Sequence, residues 1–130
     1  MANTVAIQTL VDGVKNAVLK VYLASDGAAG ELTDQVVVDV SALAGAPTQV
    51  TLISAEISTT GCALNLEWDA TADVGILNFP ADFCEKLCFE KVGGIPNNSG
   101  AGKTGDIVLT TTGFTAAGDQ ATLLLHVRKD

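Results

Sequence analysis

Apolar and polar side chains alternate along much of this chain, and short stretches rich in Gly, Asp and Asn interrupt the alternation. In "CALNLEWDAT", Leu64, Leu66 and Trp68 fall on one side of an extended backbone, and the residues between them are polar. A period of two residues is typical of a β-strand that buries one face. We therefore predict a strand here, with Trp68 in the core.

The stretch "PTQVTLISAEIST" alternates in the same way. Ile53, Ala55 and Ile57 make one side the more apolar. Val50 and Leu52 fall on the other side, together with a serine and a glutamate. The side that carries Ile53, Ala55 and Ile57 is therefore predicted to face the core.

The N-terminal stretch "TVAIQTLVDGVKNAVLKVYLASDG" reads as two extended segments joined at Asp12-Gly13. This dipeptide tolerates the positive φ angles of a tight hairpin turn. The second segment is apolar on both faces, because Val18 and Tyr22 alternate with leucines and a valine. We expect such a strand to lie inside a sandwich or against another subunit.

Several further segments have strand patterns, namely "TDQVVVDVSAL", "VGILNFP", "GDIVLTTTG" and "ATLLLHVRKD". "DFCEKLCFEKV" also predicts a strand, with a short helix over residues 82–90 as the alternative. Eight or nine short strands at intervals of about ten residues are typical of antiparallel sandwiches and barrels. We predict one all-β domain over residues 1–130, an antiparallel, jelly-roll-like β-sandwich.

The composition is that of a folded domain, and the net charge disfavours some classes of partner. The chain is 48% hydrophobic and 17% charged, and a domain of 130 residues can bury a core without metals or disulfides. Its net charge of −8 disfavours nucleic acid and anionic membranes, which require a basic face. The stretch "MANTVAIQTLVDG" lacks the basic segment and long apolar run of a signal peptide or membrane span, so we expect synthesis in a cytoplasm.

The stretch "PNNSGAGKTGDI" contains the Gly-Lys-Thr that closes many phosphate-binding loops. Such a loop requires a glycine five residues before Gly102, and Asn97 stands there. It should also open a helix, whereas the residues that follow have a strand pattern. We therefore interpret the stretch as a polar surface loop that leads into a strand, and we expect no nucleotide cofactor.

The three cysteines do not suggest a disulfide framework. Cys62, Cys84 and Cys88 are odd in number and have no Cys-x-x-Cys spacing, so we expect small buried apolar residues. A metal site of these three with His126 has suitable ligand chemistry, but we assign no metal. On a strand, Cys84 and Cys88 would share a face about 13 Å apart, too far to bond to each other.

Catalytic residues are equally hard to assemble. His126 is the one histidine, and it lies within a strand pattern, which disfavours a catalytic base. The carboxylate pairs Asp69 with Asp73 and Glu85 with Glu90 are expected by chance in so acidic a chain. "WDATADVG" lacks the central Gly and terminal Glu of a calcium loop. We assign no catalytic, cofactor-binding or metal-binding residue and expect neither an enzyme nor a small-molecule substrate.

Three stretches together resemble a known group of proteins. They are "MANTVAIQTLVDGVKNAVLKVYLASDG", "LEWDATADVGILNFP" and "GGIPNNSGAGKTGDIVLTTTG" with "GDQATLLLHVRKD" after it. The chain resembles small β-rich virion structural proteins of tailed bacteriophages, a group well represented among marine and cyanobacterial phages. Cys84 and Cys88 depart from the pattern of that group, in which this segment is polar.

The resemblance implies a capsid decoration or cement protein, made in the host cytoplasm and placed on the capsid exterior. It implies two partners, the major capsid protein and the chain itself, with a homotrimer on the capsid's local threefold axes as the expected assembly. Residues 1–11 are then expected to act as an interface arm that adds a strand to a neighbouring sheet. A neck or tail component, a glycan-binding attachment module and a small hydrolase are the alternatives.

Overall fold

Nine β-strands in two antiparallel sheets form a sandwich in the computed structural model, which describes residues 3–28 and 31–129. The strands are β1 Thr4–Asp12, β2 Asn16–Ala24, β3 Gln35–Val38, β4 Val50–Thr60, β5 Ala63–Trp68, β6 Val74–Phe79, β7 Cys84–Cys88, β8 Ile107–Thr112 and β9 Gln120–Lys129. Two short 3-10 turns, Val40–Ala42 and Glu90–Val92, are the helical elements within those ranges. The prediction of an all-β sandwich is confirmed.

The strand order is that of a jelly roll. The first sheet runs β1-β2-β9-β4-β7 and the second runs β3-β8-β5-β6. From β2 onward, each sheet holds four strands that alternate between early and late parts of the chain, as in jelly rolls. β1 is an additional strand at the edge of the first sheet. The jelly-roll-like prediction is therefore also confirmed.

The core lies between the two sheets, and Trp68 is at its centre. Trp68, Leu66 and Phe114 are fully buried, and Leu64 is nearly so. The predicted inward face of "CALNLEW" is confirmed. Its polar residues alternate outward because the pleat turns successive side chains to opposite faces.

The core face of β4 is only partly as predicted. Ala55 and Ile57 are buried in the core, as expected, but so are Val50 and Leu52. The pairing of β4 with β9 shifts between Leu52 and Ser54, which marks a β-bulge. A bulge adds one residue to one strand, so the face that points inward changes parity along the strand.

The predicted β1–β2 hairpin is confirmed, and one of its faces is not covered by other described residues. Gly13 N–H donates to the Asn16 carbonyl at 2.8 Å, which closes the turn that Asp12-Gly13 predicts. In β2, Leu19, Val21 and Leu23 are buried, whereas the opposite face is exposed or half-buried. Most of β1 is exposed. One apolar face of β2 therefore lies in the sandwich, and the other is free of cover from the described chain.

Lys129 ties the end of β9 to this hairpin. Its ammonium group forms an ion pair with Asp12 at 2.5 Å and donates to the carbonyl oxygens of Gly13 and Ala44. The Asp12 carboxylate in turn accepts the Ala44 N–H. The hydrogen bond from Lys129 and that from Ala44 hold the pKa of Asp12 below its ordinary value.

Residues 84–88 form a strand, as the alternation predicts, and not the alternative helix. β7 pairs with β4 and ends the first sheet on the side opposite β1. Across residues 3–28 and 31–129, no helix has the length and apolar character needed to cross a membrane.

Candidate functional site

A groove of about 480 Å³ lies on the outer face of the first sheet, where β2, β9, β4 and β7 run side by side. Side chains from all four strands line it, among them Lys20, Leu124, Glu56, Ser58 and Cys84. Its floor is a continuous ladder, because Lys20 lies opposite Leu124, and Leu124 lies opposite Glu56. The groove is wide and open, with mixed apolar and charged walls, which suits binding of a surface better than enclosure of a substrate.

Cys88 on β7 and His126 on β9 both lie on the outer face of the first sheet. Cys88 lies opposite Ser54, and Ser54 lies opposite His126, so two strand spacings, or about 10 Å, separate the cysteine and the histidine. A general base must lie within about 3 Å of the proton it takes. His126 Nε2 instead lies 3.1 Å from Asn16 Oδ1. Cys88 and His126 therefore do not form a paired nucleophile and base.

The structure separates the proposed Cys/His ligands. Cys62 is fully buried in the core, and burial raises the pKa of its thiol to about 11. Cys84 and Cys88 are free and exposed on β7. The expectation of buried cysteines is therefore right for Cys62 and wrong for the other two. The reason is that β7 is an edge strand whose outer face has no covering layer in the described chain.

The described residues contain one cluster of metal-ligating side chains that sequence analysis did not find. Carboxylate oxygens of Asp34, Glu67 and Asp73 lie within 4.8 Å of one another. Burial and then the Asp73 carboxylate raise the pKa of Asp34. Burial, followed by Asp73 and Asp34, raises the pKa of Glu67. Clustered exposed acids are common without an ion, and this cluster alone assigns no metal.

The acidic pairs singled out in the sequence act mainly within turns. Asp73 Oδ1 accepts the Ala70 N–H at 3.0 Å, and Asp69 Oδ2 accepts the Thr104 hydroxyl at 2.8 Å. Glu85 lies on β7, and Glu90 begins the 3-10 turn after it. Of the three carboxylates in the cluster, only Asp73 belongs to a pair that the sequence singled out. In the sequence, Glu67 stands out only as a polar residue of an alternating strand. Asp34 lies near Glu67 because β3 pairs with β8 and β8 pairs with β5.

The Gly-Lys-Thr loop is a structural connection into β8, as its sequence predicts. Lys103 Nζ donates to Gln49 Oε1 at 3.0 Å. Gly102 has a positive φ of 78°, and a Cβ there would lie 2.0 Å from Thr71 Oγ1. This glycine is therefore required by the close approach of two loops of the protein itself.

Among the described residues, most of the large exposed apolar side chains lie at the β1 edge. Large apolar side chains with more than a third of their surface exposed include Ile7, Leu10, Val11 and Val14 on or beside β1. Val14 is 94% exposed at the hairpin turn. Ile7 lies opposite the buried Val21, whereas Val11, beyond a register shift, lies opposite Val18 on the other face of β2, so the exposed apolar side chains follow both faces of the β1 edge.

The backbone of β1 is also free along its outer edge. Ser25 N–H donates to the Asp119 carbonyl, so the odd-numbered residues of β2 bond to β9 and the even-numbered ones to β1. In the β1–β2 register, Val5, Ile7 and Thr9 therefore point their N–H and C=O groups away from β2. No other strand in the described chain pairs with them.

Comparisons with known proteins leave the family open. No family model matches this chain, and no curated protein matches it. Two chains of solved structures match, among them Peruvianin-I, a cysteine peptidase from the latex of Thevetia peruviana. That match has a TM-score of 0.39 and 9% sequence identity, and it covers 96% of this chain and 61% of the peptidase. The chain thus spans less than two thirds of that protein, and at this TM-score the likeness carries no argument about activity.

Proposed function

We propose that this chain is a virion structural protein of a tailed bacteriophage, namely a capsid decoration or cement protein that bridges neighbouring major capsid subunits. The observation that carries the proposal is the β1 edge, where exposed apolar side chains accompany unpaired backbone groups. A protein that acts by adhesion requires such a surface. The resemblance of the chain to small phage virion proteins supplies the identity of the partner.

The mode of attachment that the β1 edge suits is strand addition. An extended segment that pairs with an exposed sheet edge gains main-chain hydrogen bonds and places alternate side chains in pockets. Thr4 to Val11 carry no charged side chain, so a neighbouring sheet meets no unpaired charge along this strand. Residues 1–11 thus retain the proposed role of an interface arm, with Met1 and Ala2 lying outside the described residues.

The acidic surface fits a position on the capsid exterior. The net charge of −8 disfavours adhesion to packaged DNA and leaves protein contacts as the means of attachment. A closed homo-oligomer, with a trimer on the local threefold axes as the expected form, repeats the same contact around the axis. Each copy then adds apolar and main-chain contacts that resist the outward pressure of the packaged genome.

Binding to capsids of the same phage tests this proposal. Purified protein mixed with shells that lack it should sediment with them, and protein kept under reducing conditions should alone have three times the mass of one chain in light scattering. Deleting residues 1–11 should abolish occupancy of the shell. A monomeric protein that leaves the shells bare would contradict the proposal.

The outer groove favours a second candidate function, attachment to host glycans. Tyr22 is 42% exposed beside Lys20 and Thr122, two residues that line the groove. Sugar rings stack on exposed aromatic side chains, and jelly rolls include lectins. Binding on a glycan array that Tyr22→Ala removes would support this function, and loss of capsid binding by the same variant would not.

A further inference from the structure

The two exposed cysteines lie on β7, the strand that ends the first sheet opposite β1. Their side chains and that of Lys86 project from the outer face, and all three residues are exposed. Residues four apart on a strand are separated by about 13 Å, whereas a disulfide requires Cα atoms less than about 7 Å apart. Cys84 and Cys88 therefore cannot bond to each other within one chain.

Hydrogen bonds at both ends of β7 fix which of its backbone groups face β4. Thr59 N–H donates to the Phe83 carbonyl at 2.8 Å, and Phe89 N–H donates to the Ile53 carbonyl at 2.8 Å. Hydrogen-bonded pairs recur at every second residue of an antiparallel ladder. The odd-numbered residues of β7 therefore use their N–H and C=O groups within the sheet.

The even-numbered residues of β7 consequently turn their backbone groups outward. Cys84, Lys86 and Cys88 point their N–H and C=O groups toward the free edge, where no strand of the described chain pairs with them. The Lys86 N–H makes a long contact of 3.4 Å with the Glu85 carboxylate beside it. The edge is thus a template for another strand.

We propose that this strand is β7 of a second copy. The two β7 strands pair antiparallel around a two-fold axis at Lys86, and Cys84 of each copy forms a disulfide with the partner's Cys88. The first sheets of the two copies then join into one continuous sheet. This inference goes beyond the proposed function and does not require it.

The spacing of the cysteines makes this edge self-complementary. With the axis at Lys86, Cys84 lies directly opposite the partner's Cys88, and the symmetry repeats the pair. Both residues present outward backbone groups, so they form a hydrogen-bonded pair with Cα atoms about 5.5 Å apart. Disulfides span Cα distances of about 4.4–6.8 Å. The two-fold axis is perpendicular to the sheet, so both sulfur atoms lie on the outer face.

The charges near the axis are balanced within each copy. Lys86 lies directly opposite the partner's Lys86, and two like charges in that position repel each other. Glu56 lies directly opposite Lys86 in the β4–β7 ladder of each copy and places a negative charge beside each lysine. Cys84, Lys86 and Cys88 offer no large apolar side chain to the contact, so the two disulfides provide the main stabilisation of the dimer.

The bonds form by exchange with a small-molecule disulfide such as oxidised glutathione. A Cys84 thiolate attacks the glutathione disulfide, whose S–S bond breaks to release one glutathione thiolate. The partner's Cys88 thiolate then attacks the Cys84 sulfur and releases the second glutathione thiolate. The two cysteine thiols are oxidised, the glutathione disulfide is reduced, and the two thiol protons pass to the released thiolates.

Incubation of the full chain with oxidised glutathione at neutral pH tests the proposal. Non-reducing electrophoresis should show a dimer that reductant converts to monomer. Trypsin cleaves after Lys86, and the protease Asp-N cleaves before Asp69, Asp73 and Asp82, so together they place Cys62, Cys84 and Cys88 in three different peptides. Mass spectrometry should find the Cys84 and Cys88 peptides joined. Cys62 should stay reduced, because it is buried.

Two single variants test the register. Cys84→Ser leaves Cys88 opposite a serine, and Cys88→Ser leaves Cys84 opposite a serine, so neither should form a covalent dimer alone. An equal mixture of the two should form one, because it brings Cys84 of one variant opposite Cys88 of the other. Both positions are exposed, so the substitutions should leave the fold intact.

Lys86→Pro tests the backbone contact separately. Proline removes an N–H that the sheet of one copy does not use, so the fold should persist while dimer formation is lost. A covalent dimer of either single serine variant alone, a bond through Cys62, a wild-type chain that stays monomeric, or a dimer that survives Lys86→Pro would each overturn the proposal.

Discussion

Gly105 illustrates how single backbone positions shape the loops of this sandwich. Its φ is +89°, and a Cβ there would lie 2.1 Å from the Thr48 carbonyl oxygen. Gly45 has a similar φ of +81°, but a Cβ there would meet nothing within 4 Å. Alanine substitutions at the two positions therefore distinguish the strain of a left-handed backbone, present at both, from a steric clash, present only at Gly105.

We predict that Gly105→Ala lowers the free energy of unfolding by about 2–4 kcal/mol, since it adds a clash with a backbone atom to the strain. Gly45→Ala should cost about 1 kcal/mol, from the left-handed conformation alone. Urea denaturation of both variants measures the difference. Equal destabilisation of the two variants would contradict the close contact between Gly105 and the Thr48 carbonyl oxygen.

The carboxylate cluster of Asp34, Glu67 and Asp73 gives a prediction for pH. The raised pKa values of Asp34 and Glu67 mean that folding disfavours the charged forms of these two groups, so the stabilising contribution of Asp34 is complete below its ordinary pKa of 3.8 and is lost as the pH rises through the folded value. Asp34→Asn should therefore stabilise the protein at pH 7, by about 0.5 kcal/mol as is typical of exposed charge pairs. Asparagine also tolerates the positive φ of 49° at this position.

Denaturation of Asp34→Asn and wild type between about pH 4 and pH 7 measures this effect. The advantage of the variant should grow with pH. Glu85→Gln is the control, because it removes one exposed charge outside the cluster. A variant that is less stable than wild type at pH 7 would mean that Asp34 makes a favourable contact as a carboxylate.

At the scale of elements, the two edges of the first sheet differ in chemistry. β1 offers apolar side chains and, from Thr4 to Val11, no charge, whereas β7 offers two thiols around a lysine. The edges lie at opposite ends of a five-stranded sheet, so both can be occupied at once. We infer attachment to the capsid through β1 and covalent pairing of two copies through β7.

The hairpin surface can be tested with matched substitutions. Leu10→Asp and Val14→Asp should each weaken capsid binding about tenfold, or about 1.4 kcal/mol, because they place a charge in an apolar contact. Both positions are at least half exposed, so unfolding free energies should change by less than about 0.5 kcal/mol. Co-sedimentation with capsids over a range of concentrations gives the affinities.

Val92→Asp is the control for these substitutions. Val92 is 79% exposed and lies in the 3-10 turn after β7, away from the hairpin. It introduces the same charge and should leave capsid binding unchanged. An equal loss of binding in all three variants would indicate that net charge, and not the hairpin, governs attachment.

At the scale of the whole molecule, period-two alternation and turn residues are enough to predict the fold class. The inward face of Leu64, Leu66 and Trp68 was predictable because apolar residues fall on only one side of that strand. The alternation in β4 misled at Val50 and Leu52, because a bulge that only the pairing with β9 reveals changes the inward face. Local patterns therefore predict strands well and their register less well.

The candidate surfaces depend on topology, which explains why the sequence revealed less of them. Asp34 meets Glu67 only because β8 lies between β3 and β5. Cys84 and Cys88 are exposed because β7 is an edge strand, a position that no local pattern encodes. The role in a virion stays a prediction, since it rests on a resemblance and on the chemistry of a free edge.

The copy number of this chain in purified particles of its phage tests the central claim most directly. Quantitative mass spectrometry against the major capsid protein provides the ratio. A decoration protein repeated over the shell should be present in hundreds of copies, on the order of one for every capsid subunit. About six to twelve copies would instead place it at the neck or tail, and its absence from the particle would contradict the account.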